Sequence, residues 1–122
     1  ADVVLALFPT STPQKMDMIL FDDSGNIVAI DIKPMQTSLV YTWILAVWNP
    51  NFSKFMHLHL QKLYAEYESK QRSECHVGTI FQIALKEGVT FDYVLMDKGE
   101  VMDMGTPEGL SYINQQPHAW FK

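Results

Sequence analysis

The sequence predicts a mixed α/β fold in which strands and helices alternate and an antiparallel hairpin is inserted into the sheet. The apolar run at residues 3–8 is continuous, which is typical of a strand buried on both faces of a sheet. Two strand-like runs flank the turn-forming residues 22–26, which predicts the hairpin. Apolar residues at three- and four-residue spacing follow from residue 50, which predicts a helix. With 48% hydrophobic residues in 122, the chain has enough apolar side chains for one core.

The first half of the chain reads as a strand, a loop, the hairpin and a further strand. Residues 9–13 contain two prolines and read as a loop, and the hairpin strands are predicted at residues 16–21 and 27–32. Residues 38–48 are rich in β-branched and aromatic side chains, which favours another strand. A helix is predicted from residue 50 to about residue 70, with an apolar stripe formed by Phe52, Phe55, Met56, His59, Leu60, Leu63, Tyr64 and Tyr67.

The second half is predicted to contain two helices and the last strands. A helix over residues 77–87 ends at Gly88, a strand follows at residues 90–96, and a short strand is predicted near Val101. The final helix is predicted at residues 107–115. Thr106 is a favourable N-cap, Pro107 suits the first helical position, and Glu108 places negative charge at the positive end of the helix dipole.

Composition excludes several classes of function. A net charge of −5 with only nine Lys and Arg argues against nucleic-acid binding, which needs clustered cations. No apolar stretch approaches the roughly 20 residues of a membrane span, so no membrane association is expected. The single cysteine, Cys75, allows no internal disulfide, which suits a reducing compartment and predicts a cytoplasmic protein. His57 and His59, two residues apart on a helix, are not expected to bind one metal together.

Several short motifs, in their order and spacing, resemble sugar-1-phosphate nucleotidyltransferases. They are Asp103 before Gly105-Thr106-Pro107-Glu108, and upstream Phe8-Pro9-Thr10, Ser24-Gly25-Asn26-Ile27-Val28, Lys33-Pro34 and Gly78-Thr79-Ile80-Phe81. The resemblance implies the C-terminal half of a Rossmann-like nucleotidyltransferase domain. Residues 1–122 would then form a single domain fragment, the sugar-binding half.

The same resemblance implies the site residues. Asp103 would hold magnesium, Lys33 would neutralise the phosphate of a sugar 1-phosphate, and Asp17 would lie near the sugar. Residue chemistry alone favours a structural role for Asp103 in the loop before the helix, whereas the family pattern favours the metal ligand. For Lys33 the alternative is a solvated strand end.

The implied reaction joins a sugar 1-phosphate to the α-phosphorus of a nucleoside triphosphate, with release of pyrophosphate. The six glycines form no phosphate-binding cluster, so the isolated chain is expected to be inactive. Asp17, Ile32 and Trp43 also depart from the family pattern, which leaves a non-catalytic binding or regulatory module as the alternative. If residues 3–8 form an unpaired apolar edge strand, the chain is expected to self-associate.

Overall fold

The computed structural model describes residues 1–69, 76–98, 101 and 104–115. Within these residues the chain forms five strands, three α-helices and a short 3-10 helix at Pro13–Lys15. The strands are β1 (Val3–Pro9), β2 (Asp17–Phe21), β3 (Ile27–Ile32), β4 (Tyr41–Trp48) and β5 (Phe91–Leu95). The helices are α1 (Pro50–Ser69), α2 (Val77–Lys86) and α3 (Pro107–Gln115). No helix in the described part of the chain combines the length and apolarity needed to cross a bilayer.

The strands form one mixed sheet in the order β3-β2-β4-β1-β5. Strand β1 pairs parallel with β5 and antiparallel with β4, and β2 pairs antiparallel with both β3 and β4. The predicted mixed α/β fold with an inserted antiparallel hairpin is therefore confirmed. The prediction that residues 3–8 form an unpaired edge is wrong, because β1 has a hydrogen-bonded neighbour on each side.

Local side-chain chemistry explains the hairpin between β2 and β3. The Asp22 carboxylate accepts hydrogen bonds from the backbone N–H groups of Ser24 at 2.9 Å and Asn26 at 2.8 Å. Gly25 has φ +83°, a left-handed conformation that glycine adopts without strain. The Tyr93 hydroxyl on β5 donates to the Gly25 carbonyl at 2.7 Å, so the turn is also tied to the far edge of the sheet.

Helices α1 and α2 pack on one face of the sheet and form the core with it. Phe52 of α1 and Phe81 of α2 are almost fully buried, with ring centroids 5.8 Å apart. Removing either ring would cost about 3–5 kcal/mol of stability. The predicted stripe on α1 is largely confirmed, although Tyr64 is exposed and the Tyr67 side chain lies outside the described residues. The sheet contributes Val3, Leu5, Leu7, Ile19, Ile27 and Ile30.

The opposite face of the sheet carries exposed apolar side chains, which we call the open sheet face. Val4 pairs with Val47, and Ala6 pairs with Leu45 on one side and Val94 on the other, so these residues share that face. Their exposed fractions are 36% for Val4, 60% for Leu45, 64% for Val47 and 55% for Val94. The prediction that residues 3–8 are buried on both faces is therefore wrong, since only the face of Val3, Leu5 and Leu7 is covered.

Two element boundaries differ from the prediction. The strand expected from residue 38 begins at Tyr41, because the Thr37 hydroxyl accepts a hydrogen bond from the Leu39 N–H and holds this segment in a turn. Val101 lies in no strand, and most of the strand predicted near it falls outside the described residues. The hairpin strands, the two first helices and α3 are confirmed to within a residue or two.

Candidate functional site

A cavity of about 270 Å³ lies between the loop that follows β1 and the first turns of α3. Strand β1 ends at Pro9, so the cavity opens at its carboxyl end, the edge at which ligands bind in open α/β sheets. Met16, Val101 and Gly109 supply part of the wall. The lining side chains that carry charges or hydroxyl groups are Thr10, Ser11, Thr12, Lys15, Thr106, Glu108 and Tyr112.

Hydrogen bonds donated by backbone N–H groups fix the loop that carries Lys15. The Thr10 N–H donates to the Val40 carbonyl at 3.0 Å, and the Thr12 N–H donates to the Thr10 hydroxyl at 3.1 Å. Pro13 then starts the 3-10 helix, in which the Lys15 N–H donates to the Thr12 carbonyl at 3.0 Å. Proline suits this position because its φ is already fixed near the helical value. The Lys15 side chain therefore projects from an ordered turn.

The opposite wall is the capped N-terminus of α3. The Thr106 hydroxyl accepts a hydrogen bond from the Gly109 N–H at 3.1 Å, and the Leu110 N–H donates to the Thr106 carbonyl at 3.1 Å. This is the N-cap that the sequence predicts. Gly109 is buried, and Glu108 in the same turn lines the cavity. The start of α3 therefore brings a carboxylate to the site.

Lys15 and Glu108 place opposite charges on the cavity wall. Among the described residues, neither side chain forms an ion pair, and the two do not pair with each other. Ser11 and Tyr112 likewise make no side-chain hydrogen bond within the described part of the chain. Within the described residues, the cavity wall therefore carries one lysine, one carboxylate and several hydroxyl groups.

Lys33, predicted to bind phosphate, lies beside this cavity but does not line it. Its backbone N–H donates to the carbonyl of Met16 at 3.0 Å, and Met16 is part of the cavity wall. Lys33 has φ 46°, a left-handed conformation that is uncommon for a residue with a side chain. Such strain persists only where surrounding structure maintains it, and it is found preferentially at functional sites.

Asp17, predicted to lie near the sugar, is directed towards helix α2 and is absent from the cavity wall. It pairs with Ile32 across the hairpin and lies against Gly78 in the first turn of α2. Burial raises the pKa of the Asp17 carboxyl, and the Trp43 indole, His76 and Lys33 lower that pKa in part. The Trp43 N–H nevertheless makes no hydrogen bond of ordinary geometry, so it is a buried donor without a partner in the described chain.

The remaining candidates give no metal site within the described residues. Asp103, the predicted magnesium ligand, and Cys75 both lie outside them. No group of three or more His, Cys, Asp or Glu side chains in the described part is placed to hold a metal ion. His59 stacks on Phe55 and lies 3.3 Å from Glu87 through Nε2, whereas His57 is exposed.

Sequence reasoning did not identify the residues that line the cavity. Lys15, Glu108 and Tyr112 belong to segments separated by about 90 positions in the sequence, so no local pattern connects them. Each of the two segments nevertheless carries a local sequence signal. Pro13 starts a turn that presents Lys15 just before a strand, and Thr106 starts a helix whose first residues face the end of a strand.

Solved structures resemble this chain, among them two sugar-nucleotide enzymes. One is assigned as a glucose-1-phosphate thymidylyltransferase from Bacillus anthracis, with a TM-score of 0.66 and 21% identity over 93% of this chain. The other is a nucleoside-diphosphate-sugar pyrophosphorylase from Vibrio cholerae, with a TM-score of 0.65 and 16% identity over 95% of this chain. No protein-family model and no curated protein matches the sequence.

The match covers 42% of the Bacillus anthracis chain and 47% of the Vibrio cholerae chain, so this chain spans less than half the length of either. At these identities the likeness concerns the fold. The five-stranded mixed sheet with its inserted hairpin and flanking helices is the fold of part of these nucleotidyltransferase structures.

Proposed function

We propose that this chain is the sugar-phosphate-binding part of a domain that transfers a nucleoside monophosphate from a nucleoside triphosphate to a sugar 1-phosphate. The observation that carries the proposal is the fold likeness over 93% and 95% of the chain. It relates the chain to structures named as a glucose-1-phosphate thymidylyltransferase and a nucleoside-diphosphate-sugar pyrophosphorylase.

The cavity at the end of β1 supports the same proposal. A sugar phosphate carries an anionic group together with hydroxyl groups that both donate and accept hydrogen bonds. The cavity wall offers the Lys15 ammonium for the first, and the Glu108 carboxylate with the Ser11 and Tyr112 hydroxyls for the second. An apolar or purely cationic ligand would leave several of these groups unused.

In the proposed reaction, an oxygen of the sugar 1-phosphate attacks the α-phosphorus of the nucleoside triphosphate. A new P–O bond forms, the bond to the bridging oxygen of the β-phosphate breaks, and pyrophosphate leaves. Catalysis in this class rests on positioning and on charge neutralisation. The task of this chain is to hold the sugar phosphate, and the isolated chain is proposed to be inactive because its glycines form no phosphate-binding loop.

Magnesium is part of the proposed reaction, but its predicted ligand lies outside the described residues. In reactions of this class it neutralises charge on the phosphates. The described residues contain no group of three or more His, Cys, Asp or Glu side chains placed to hold a metal ion, and Asp103 remains the predicted ligand. The steps assigned to this chain therefore involve only its own side chains. The cytoplasmic location likewise remains a prediction.

The second candidate is a non-catalytic module that keeps the fold and uses the cavity for recognition. The orientation of Asp17 favours it, because that carboxylate is packed under α2 and is not available in the cavity. Pyrophosphate release by the full-length protein separates the two. The enzyme predicts release that requires both a sugar 1-phosphate and a nucleoside triphosphate, whereas the module predicts sugar-phosphate binding without release. A protein that neither binds a sugar phosphate nor releases pyrophosphate would contradict both candidates.

A further inference from the structure

We propose that the free edge of β4 accepts a further strand from the rest of the nucleotidyltransferase domain, and that a helix of that part covers the open sheet face. This inference rests on the proposed function, in which the chain forms part of such a domain, and it names the surface at which the other part joins. Strand β4 pairs with β1 along its whole length, but it pairs with β2 only where Thr42 lies opposite Met18. The rest of that edge has no neighbouring strand among the described residues.

The pairing of β1 shows which backbone groups of β4 face the free edge. Odd-numbered residues of β1 face β5, since the Leu7 carbonyl bonds to the residue that follows β5. The even-numbered residues therefore face β4, where their partners are Leu45 and Val47. Because backbone direction alternates along a strand, Ala46 and Trp48 direct their N–H and C=O groups to the opposite side. No described residue forms a hydrogen bond with these groups.

The two outer edges of the sheet are closed by side chains. On β3, the Gln82 amide of α2 donates to the Ile30 carbonyl at 2.7 Å. On β5, the Asp92 carboxylate accepts a hydrogen bond from the Tyr93 N–H at 2.8 Å. Charged and capping groups of this kind prevent the addition of a strand at a sheet edge. Residues 44–48 of β4 include no charged side chain, so this edge is the one suited to strand addition.

The side chains beside the free edge are apolar on both faces of the sheet. On the open sheet face, Leu45 and Val47 are more than half exposed. On the helix face, Ala46 packs against the core, and the Trp48 ring lies 5.7 Å from that of Phe52. A strand added here has apolar neighbours on both faces, which is typical of a central strand in an α/β sheet. Such sheets carry helices on both faces, whereas α1 and α2 cover only one.

A second copy of this chain does not fit the free edge. Symmetric antiparallel pairing centred on Ala46 would place Pro50 of the second copy opposite Thr42, where β2 already pairs. Pro50 also begins α1 and has no N–H for a strand ladder. A single strand from the rest of the domain avoids this overlap. The match covers 42% and 47% of the two similar structures, so their chains contain further elements beyond the matched part.

Amide hydrogen exchange, compared between the isolated chain and the full-length protein, tests the proposal. The isolated chain is measured at a dilution at which sedimentation velocity shows a monomer. There the Leu45 and Val47 amides, which face β1, should be protected, and those of Ala46 and Trp48 should exchange freely. In the full-length protein the latter two should slow by about a hundredfold or more. Tyr93, on the closed edge of β5, is the control and should exchange equally in both.

A substitution tests the covering helix. Val47→Lys places a charge on the open sheet face, and Leu58→Lys, at a similarly exposed position on α1, is the matched control. If the face is covered, Val47→Lys should lower the melting temperature of the full-length protein by several degrees more than that of the isolated chain, because the charge is then buried. Leu58→Lys should shift both melting temperatures equally.

The other outcomes are distinct. Free exchange at Ala46 and Trp48 in the full-length protein overturns the proposal, and equal slowing at Tyr93 overturns it by indicating general stabilisation. Protection that arises in the isolated chain only when it associates identifies a second copy as the occupant. An equal effect of Val47→Lys in both proteins excludes the covering helix. A full-length protein that releases pyrophosphate with a free β4 edge refutes this inference and leaves the proposed function intact. A protected edge without sugar-phosphate binding or pyrophosphate release removes the proposed function and leaves the strand addition in place.

Discussion

Helix α2 packs closely against the hairpin at Gly78, and Gly78→Ala tests that contact. A Cβ atom at this position would overlap Oδ2 of Asp17 and would lie 3.1 Å from its Cγ and 3.5 Å from Cδ1 of Ile32. Gly78 is buried and the Asp17 side chain is partly buried, so the carboxylate has to move when the methyl group is added. The structure therefore predicts that this substitution acts through Asp17.

Two opposing effects set the magnitude. Adding a methyl group to a packed site costs about 1–3 kcal/mol of unfolding free energy. Replacing glycine by alanine in a helix contributes up to about 1 kcal/mol of stabilisation. We expect a net loss of about 1 kcal/mol in the otherwise unchanged chain. With Asp17→Ala already present the overlap is removed, so the same change should be neutral or stabilising.

Urea unfolding of the wild-type chain, Asp17→Ala, Gly78→Ala and the double variant measures the coupling free energy between the two positions. The expected coupling between positions 17 and 78 is about 1–3 kcal/mol, well above the roughly 0.5 kcal/mol seen for independent sites. Asp17→Asn is the matched control, because it removes the charge but keeps the size. In that background Gly78→Ala should still destabilise the chain. An equal effect of Gly78→Ala in the wild-type chain and in the Asp17→Ala variant would refute the packing described for α2.

Three further predictions concern charge, association and metal binding. Burial raises the pKa of the Asp17 carboxyl above its ordinary value of 3.8. The folded chain therefore binds more protons than the unfolded chain between those two pKa values, and the unfolding free energy falls as the pH rises through that window. Between about pH 4 and about pH 7, urea unfolding should show a smaller fall in unfolding free energy for Asp17→Asn than for the wild-type chain. The open sheet face leaves apolar side chains in water, so the chain is expected to self-associate through it. Leu45→Lys with Val47→Lys should give a monomer by sedimentation velocity, and a wild-type monomer at micromolar concentration would contradict this. In the full-length protein, Asp103→Asn should strongly reduce magnesium-dependent pyrophosphate release at unchanged thermal stability, whereas a fully active Asn variant would exclude the metal role.

The elements that the sequence predicts well are those whose signals are local. The β2–β3 turn is specified by Asp22 and Gly25 themselves, through a side-chain hydrogen bond and a left-handed backbone. The start of α3 is specified by the Thr106 hydroxyl, which accepts a hydrogen bond from the Gly109 N–H, and by Pro107, whose fixed φ suits the first helical position. These residues form their contacts within a few positions of the chain, so a single sequence contains the necessary information.

The neighbours of β1 depend on distant parts of the chain. An apolar run predicts a buried strand but does not identify its partners, and here they are β4 and β5, about 40 and 90 residues away. The orientation of Asp17 depends on strand register, in which a shift of one residue reverses the face. It points with Ile19 towards the helices and packs against α2, an orientation that the sequence alone does not show.

The candidate site is predicted only in part for the same reason. The sequence predicts a site at this edge of the sheet, through Asp103 and Lys33, but it does not predict the cavity. Lys15 becomes a candidate only when α3 lies across the loop after β1, and that packing brings Glu108 to the opposite wall. A contact between segments so far apart is invisible in either segment alone.

The most direct test of the account is a nuclear magnetic resonance titration of the ¹⁵N-labelled chain with glucose 1-phosphate. If the cavity holds the sugar phosphate, the amide shifts should change at the non-proline residues among 10–16 and 106–112, on its two walls. The amides of Lys54 and Leu58, on the exposed side of α1, should not respond. Shift changes confined to α1, or a spectrum that does not change at saturating ligand, would contradict the claim that this edge of the sheet binds the sugar phosphate.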